Sequence, residues 1–72
     1  MTNTVLLEKK IETSGLKKIY LAKRVGLSLV GFRNCCVNKA EFKASQIQIL
    51  CDVLKIESLE EKQKIFFASN GA

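Results

Sequence analysis

Residues 18–37 read KIYLAKRVGLSLVGFRNCCV, and this stretch carries the strongest structural signal in the chain. It places small residues at Ala22 and Gly26 among apolar residues at helical spacing. Ala22 must be small because a second helix crosses directly over it, and we expect Gly26 to end the first helix with a positive φ angle. The apolar inner face of the two helices is predicted to consist of Leu21, Val25, Leu27, Phe32 and Cys35.

This spacing is that of a helix-turn-helix, in which two short helices pack at a sharp angle. A plain αα-corner with no ligand uses the same small and apolar positions, so the spacing alone leaves DNA binding open.

The distribution of charge along the chain favours DNA binding. Residues 17–43 contain seven basic residues and one acid, whereas residues 44–72 contain three lysines and four acids. The alternative is a solvated basic face that serves solubility.

Length and composition limit the class of protein. The 72 residues carry a net charge of +5 and predict one small domain, residues 1–72, with an ordered core at about residues 4–68. No apolar run approaches the length of a transmembrane helix, and residues 1–15 lack the basic start and apolar block of a signal peptide. We therefore expect a cytoplasmic protein.

Catalytic chemistry is not expected. The chain has no histidine, and no serine or cysteine has a visible base partner, so we predict no enzyme and no metal or cofactor. An odd number of cysteines that includes the adjacent pair Cys35 and Cys36 is a poor framework for disulfides. We interpret Cys35 and Cys51 as small buried apolar residues and expect Cys36 to be more exposed.

Five helices and no strand are expected, at about residues 4–14, 17–25, 29–37, 46–54 and 59–68. The predicted N-caps are Thr4, Ser28, Ser45 and Ser58, the last of which forms a capping box with Glu61. Gly15 ends the first helix. Apolar spacing assigns to the inner faces of the first and fourth helices Leu7, Ile11, Ile47, Leu50, Cys51 and Leu54.

Two segments carry a family resemblance. Residues 15–28, GLKKIYLAKRVGLS, and residues 41–47, EFKASQI, resemble the Cro and lambda-repressor type of helix-turn-helix protein, the xenobiotic-response-element-like family, and in particular its small prophage members. The similarity covers about residues 4–68. It implies an all-α domain of five helices with the helix-turn-helix at helices 2 and 3. It also implies a phage or prophage repressor whose helix 3 enters the major groove, usually as a dimer on a palindromic operator.

The same resemblance assigns contacts with DNA. The groove-facing positions are Ser28, Leu29, Val30, Arg33, Asn34 and Val37. Arg33 can form two parallel hydrogen bonds with guanine O6 and N7, and Asn34 can do the same with adenine N6 and N7. Leu29 and Val30 offer only apolar contact, for instance to a thymine methyl group. The positions assigned to the phosphate backbone are Lys17, Lys18, Asn38, Lys39, Lys43 and Ser45.

Helix 3 departs from the family pattern at three positions. Leu29 and Val30 stand where family members commonly carry polar or basic residues, and Gly31 lowers helix stability by about 1 kcal/mol relative to alanine. The apolar face packs either against DNA or against a protein. The second alternative is a protein-interaction module, such as an antirepressor or a partner of another phage or host regulator. Partial burial of Leu29 against the fourth or fifth helix is a simpler explanation for that residue.

A homodimer interface is predicted at Phe66 and Phe67. Because the two are adjacent, we expect one in the core beside Leu59 and Ile65 and the other facing outward, where it can form a two-fold contact. The alternative is that both phenylalanines close the small core. Taken together, the sequence predicts a DNA-binding regulator that acts on double-stranded DNA by occluding a promoter.

Overall fold

Helices form all of the regular structure in residues 1–67, the part of the chain that the computed structural model describes. They are α1 (Thr4–Ser14), α2 (Lys18–Val25), α3 (Leu29–Cys36), α4 (Ala44–Leu54) and α5 (Leu59–Phe66). The expectation of an all-α fold with five helices and no strand is confirmed over these residues. The predicted end of the fifth helix at Ala68 lies outside the described residues.

Three helices begin with a side-chain cap. The side chains of Asn3, Ser28 and Ser58 accept hydrogen bonds from the third residue of α1, α3 and α5, at 3.1, 3.0 and 3.0 Å respectively. The predicted caps Ser28 and Ser58 are confirmed, but the Glu61 side chain does not return a bond to the Ser58 N–H, so the predicted capping box is only half formed. The prediction for Thr4 is wrong, because Thr4 is already helical and Asn3 is the extended residue before it. The backbone N–H of Asn3 also forms a hydrogen bond, which it donates to the carbonyl oxygen of Ile65 in α5 at 2.6 Å.

The other two helices begin after lysines. Lys17 precedes α2 and Lys43 precedes α4. A lysine side chain has no acceptor atom, so it cannot bond the free N–H groups of a first turn. At α4, the Gln46 side chain accepts from the backbone N–H of Lys43 at 2.8 Å, which is the returning half of a capping box. The predicted cap at Ser45 is wrong, because Ser45 lies inside the first turn of α4.

Three residues, Gly26 to Ser28, connect α2 to α3. Gly26 has a φ of +78°, as predicted, and the backbone N–H of Leu27 donates to the carbonyl of Ala22 at 2.9 Å. A left-handed residue at this point closes the C-terminus of α2 and turns the chain sharply. Any residue with a Cβ would be strained there. The tight turn brings α3 back against α2.

One apolar core holds the helices together. α2 packs against α3 and α4, and α1 packs against α3, α4 and α5. Ala22 of α2 is 1% exposed, as expected for a small residue that another helix covers. The other members of the predicted inner face are buried, except for Leu27, which is half-buried. Leu7 and Ile11 of α1 and Leu50, Cys51 and Leu54 of α4 are buried, while Ile47 is half-buried against the core.

The structure corrects two predicted burials. Cys36 is 1% exposed rather than open to solvent, because it follows Phe32 by one helical turn and shares its face. Leu59 is 69% exposed rather than part of the core. The prediction that one of two adjacent phenylalanines faces inward is confirmed, with Phe66 buried and Phe67 exposed.

Phe42 is a core residue that the sequence analysis did not assign. It lies in the loop between α3 and α4, and its ring meets Phe32 and Phe66 edge to face, with centroids 5.8 and 6.1 Å apart. Such edge-to-face pairs contribute about 0.5–1.5 kcal/mol beyond the area that they bury. Phe42 therefore anchors the loop that follows α3 to the centre of the molecule.

Candidate nucleic-acid interface

α3 has one buried face and one open face. Phe32, Cys35 and Cys36 form the buried face at i, i+3 and i+4. Helical geometry puts Val30, Arg33, Asn34 and Val37 on the other side, whereas Leu29, three residues before Phe32 and seven before Cys36, lies at the edge of the buried face. Together with the N-cap Ser28, these are the residues that the sequence analysis assigned to the DNA bases: Ser28, Leu29, Val30, Arg33, Asn34 and Val37.

These six residues differ in exposure. Val30 is 67% exposed, and Ser28, Arg33 and Val37 are also exposed, whereas Leu29 and Asn34 are half-buried. Leu29 is partly buried, as the simpler alternative for that residue expects, but α4 and α5 are not among the main packing partners of α3 within residues 1–67. Arg33 forms no ion pair with an acid in residues 1–67. Its guanidinium group is therefore able to bind a planar pair of acceptors without losing an internal partner.

Four of the six predicted phosphate contacts lie on the surface: Lys17, Lys39, Lys43 and Ser45 are all exposed. They come from the starts of α2 and α4 and from the loop after α3. The two other residues have internal partners. Lys18 forms an ion pair with Glu8 of α1, with Nζ and Oε1 2.8 Å apart. The side-chain amide of Asn38 forms hydrogen bonds with both the N–H and the carbonyl oxygen of Thr2.

The internal bonds of Asn38 change its predicted role. Its Oδ1 accepts from the Thr2 N–H at 3.0 Å, and its Nδ2 donates to the Thr2 carbonyl at 2.7 Å. A phosphate contact would have to compete with both bonds, so Asn38 is not expected to bind phosphate. Lys18 would have to leave Glu8 to reach a phosphate. The Lys18 side chain is 34% exposed in this ion pair, and ion pairs near the surface contribute at most about 1 kcal/mol to stability.

Positive charge and two helix N-termini occur together in the segment 17–43. Lys18 is the one basic residue of the segment 17–43 that forms an ion pair with another described residue. The N-termini of α2 and α4 carry free N–H groups and the positive end of the helix dipole, with a lysine instead of a side-chain acceptor before each. A phosphate oxygen is a suitable acceptor for such groups.

Arg24 and Tyr20 form an exposed pair that the sequence analysis did not single out. Arg24 Nη1 donates to the Tyr20 hydroxyl oxygen at 2.9 Å, and the guanidinium carbon lies 5.9 Å from the centre of the ring. Their i, i+4 spacing on α2 was the signal that could have identified them. They border an open groove of about 700 Å³ between α2 and the C-terminal ends of α1 and α4.

The cysteines are buried and protonated at neutral pH. Burial is the main cause that raises the pKa of the Cys36 thiol, to about 11, and Glu8 raises it further while Lys18 opposes the shift. Burial also raises the pKa of Cys35 and of Cys51. A protonated, buried thiol is a poor nucleophile and a poor metal ligand. Within residues 1–67, no group of three or more His, Cys, Asp or Glu side chains is positioned to hold a metal ion.

Of the two predicted dimer residues at the end of α5, Phe66 is buried and Phe67 is exposed. Phe66 packs in the core against Phe42 and is not available to a second copy of the chain. Phe67 is 59% exposed, and Leu59 is the other large exposed apolar residue of this region. A dimer contact at α5 would therefore use Phe67 and not Phe66.

No protein-family model, curated protein or solved structure matches the chain. None of the helices in residues 1–67 has the length and apolar character needed to cross a membrane. The function must therefore be inferred from the residues of the open face of α3 and from the charges around it.

Proposed function

We propose that the protein is a sequence-specific DNA-binding transcriptional regulator, in which α2 and α3 act as a helix-turn-helix. One observation carries the proposal. The open face of α3, where Arg33 forms no ion pair within residues 1–67, belongs to the same basic segment as the N-termini of α2 and α4, each of which follows a lysine. Base-reading side chains and phosphate-binding groups would then act together, as sequence-specific binding requires.

In this proposal α3 enters the major groove. Arg33 donates two hydrogen bonds to guanine, Asn34 reads adenine, and Val30 contacts a thymine methyl group. Each correct bidentate pair contributes about 1–3 kcal/mol of discrimination against a wrong base. Lys17, Lys39 and Lys43 neutralise phosphates and set the position of the domain on the duplex. They contribute affinity for any sequence, and that affinity falls as salt rises.

The regulator would act in the cytoplasm, as a prophage-type repressor that blocks a promoter by occupying a short operator. Two copies could join through Phe67 and Leu59 at α5, and to read both half-sites of an operator they must hold their α3 helices about 34 Å apart, one turn of DNA. Such a dimer reads a palindromic site. The exposed apolar residues at α5 support this arrangement, because an isologous contact needs the same patch on both copies.

The test is selection of bound duplexes from a random pool at near-physiological salt. We expect the wild type to enrich one sequence and an Arg33→Ala, Asn34→Ala variant to enrich none. Arg24→Ala is the matched control, because it removes one arginine charge from α2 and leaves the α3 face intact. On the selected sequence, Arg33→Ala should cost about 1–3 kcal/mol, and Lys39→Ala should weaken binding to all sequences alike. Equal losses on specific and random DNA for Arg33→Ala would refute its role as a base reader.

A protein-interaction module is the second candidate, and the apolar edge of α3 favours it. Val30 is mostly exposed, and Val37 shares a shallow depression with the exposed Val5 of α1. Such residues are costly to leave in water unless a partner covers them. If no duplex is enriched, a pull-down that compares the wild type with Val30→Asp, Val37→Asp would test this candidate. Ile19→Asp is the control, since Ile19 is an exposed apolar residue of α2.

A further inference from the structure

The first residues of the chain are fastened to two distant elements. Thr2 is only 7% exposed, and both its N–H and its carbonyl are bonded to the side chain of Asn38. The neighbouring N–H of Asn3 donates to the carbonyl of Ile65 near the end of α5. We call these four residues, Thr2, Asn3, Asn38 and Ile65, the N-terminal clasp. It joins the N-terminus, the loop after α3 and α5.

Asn38 is well suited to its place in the clasp. It has a φ of +65°, in the left-handed region, where asparagine is tolerated better than most residues. Its amide satisfies one donor and one acceptor of the same Thr2 backbone, at 2.7 and 3.0 Å. Few side chains have a donor and an acceptor on one short rigid group. The identity of this residue therefore matters for holding the N-terminus, and not only for making the turn.

The clasp is one of two anchors of the loop between α3 and α4. Phe42, at the other end of the loop, is fixed between Phe32 and Phe66. Between the anchors, the backbone N–H groups of Lys39 and Ala40 both donate to the carbonyl of Asn34, at 2.8 and 3.3 Å. The side chains of residues 39–41 are exposed. A loop held at both ends thus displays Lys39 and, at the start of α4, Lys43.

We propose that Asn38 is a positioning residue for phosphate binding: through the clasp, the N-terminal residues hold the loop so that Lys39 and Lys43 face the DNA backbone. Neither Thr2 nor Asn38 touches DNA in this arrangement. A loop fixed before binding loses less freedom when DNA binds, which raises affinity without any new contact. The inference rests on the proposed function, since it names how one part of that interface is held in place.

The test uses Asn38→Gly, because glycine keeps the left-handed backbone and removes both hydrogen bonds to Thr2. Thr2→Pro removes the Thr2 N–H donor from the other side of the same contact. Ser58→Ala is the control. It removes the side-chain cap at the start of α5, which lowers stability, but it removes neither hydrogen bond between Asn38 and Thr2 and neither lysine of the loop.

The first measurement needs no DNA. Amide hydrogen exchange at Lys39 and Ala40 should become roughly tenfold faster in Asn38→Gly and Thr2→Pro, because the loop opens locally, while exchange at Leu50 in the core of α4 changes much less. In Ser58→Ala the amides of Lys39 and Ala40 should show no selective change. If exchange at these two amides is the same in Asn38→Gly as in the wild type, the clasp does not hold the loop and the inference is overturned.

The second measurement is affinity for random duplex DNA as a function of salt. Asn38→Gly should bind roughly three- to tenfold more weakly than the wild type and should lose about one phosphate contact from the salt dependence. Ser58→Ala should keep the wild-type slope. In a Lys39→Ala, Lys43→Ala background, Asn38→Gly should have little further effect, because the lysines that it positions are gone. A further full loss in that background would overturn the positioning role.

The two proposals fail in different ways. If the wild type binds no duplex, the proposed function fails, and the positioning role for DNA fails with it. If the wild type binds DNA and Asn38→Gly binds with unchanged affinity and salt dependence, the positioning role fails while the proposed function stands.

Discussion

The burial of Ala22 on α2 gives the most direct test of the helical corner on which the proposed function depends. Ala22 is 1% exposed on α2, which packs against both α3 and α4. Ala22→Leu adds three carbon atoms where no space is open to solvent. Overpacking of this kind costs about 1–3 kcal/mol. A domain of 72 residues has a total stability of about 4–11 kcal/mol, so the variant should still fold.

The expected change is large enough to measure by thermal unfolding followed by circular dichroism. A loss of 1 kcal/mol lowers Tm by about 4–8 °C in a domain of this size, so Ala22→Leu should lower Tm by about 4–24 °C. Ala44→Leu makes the same change at an exposed position in the first turn of α4 and should shift Tm by only a few degrees. If the two variants have the same Tm, no helix crosses closely over Ala22 and the assignment of a helix-turn-helix loses its basis.

Two further predictions concern residues with unusual surroundings. Lys55 ends α4 with a φ of +59°, in the left-handed region, where a side chain causes backbone strain. Lys55→Gly should therefore raise the free energy of unfolding, measured by urea denaturation, by about 1 kcal/mol. A decrease would contradict this strain. Burial raises the pKa of the Cys36 thiol from 9.0 to about 11, so this thiol ionises first in the unfolded chain: the contribution of Cys36 to stability is unchanged well below pH 9 and falls by roughly 2–3 kcal/mol as pH rises to 11. The fall between pH 8 and 10.5, measured by urea unfolding, should be smaller in Cys36→Ala, and an equal fall would show that Cys36 does not cause it.

The parts of the fold that depend on local periodicity could be predicted from the sequence. The five helices follow from apolar spacing and from Ser28 and Ser58, whose side chains cap the helices that they precede. Gly26 could be placed in the left-handed region because a turn of three residues requires it. The burial of Cys36 was also readable, since it follows Phe32 by four residues on one face of α3, but it was missed.

Contacts between residues far apart in sequence could not be predicted. Thr2, Asn3 and Thr4 are all good N-cap residues, and the choice of Asn3 depends on a hydrogen bond to Ile65, 62 residues away. Asn38 bonds Thr2 across 36 residues of sequence. These two long-range contacts decide how α1 begins and how the loop after α3 is held. They also remove Asn38 from the phosphate contacts that the resemblance had assigned to it.

The candidate site could likewise be predicted only where it depends on local spacing. Its helical face follows from the spacing of residues on α3, whereas the pairing of Lys18 with Glu8 depends on how α1 lies beside the start of α2. The sequence could count the charges of residues 17–43 but could not show which of them an acid on another helix neutralises. The bond at Lys43 is different, because its partner Gln46 is only three residues later, but the Ser or Thr that marks a capping box is absent from the N-cap position.

The apolar part of the α3 face separates the two candidate functions by their response to salt. Binding through Lys17, Lys39 and Lys43 releases counterions, so affinity for DNA must fall steeply as salt rises. Binding through Val30 and Val37 buries apolar surface, which salt does not weaken. Both contributions can act in one complex, because a thymine methyl group offers an apolar contact beside the charged backbone. A partner whose affinity is unchanged between low and high salt would therefore identify a protein surface, and a steep loss together with a sequence preference that Arg33→Ala abolishes would identify DNA.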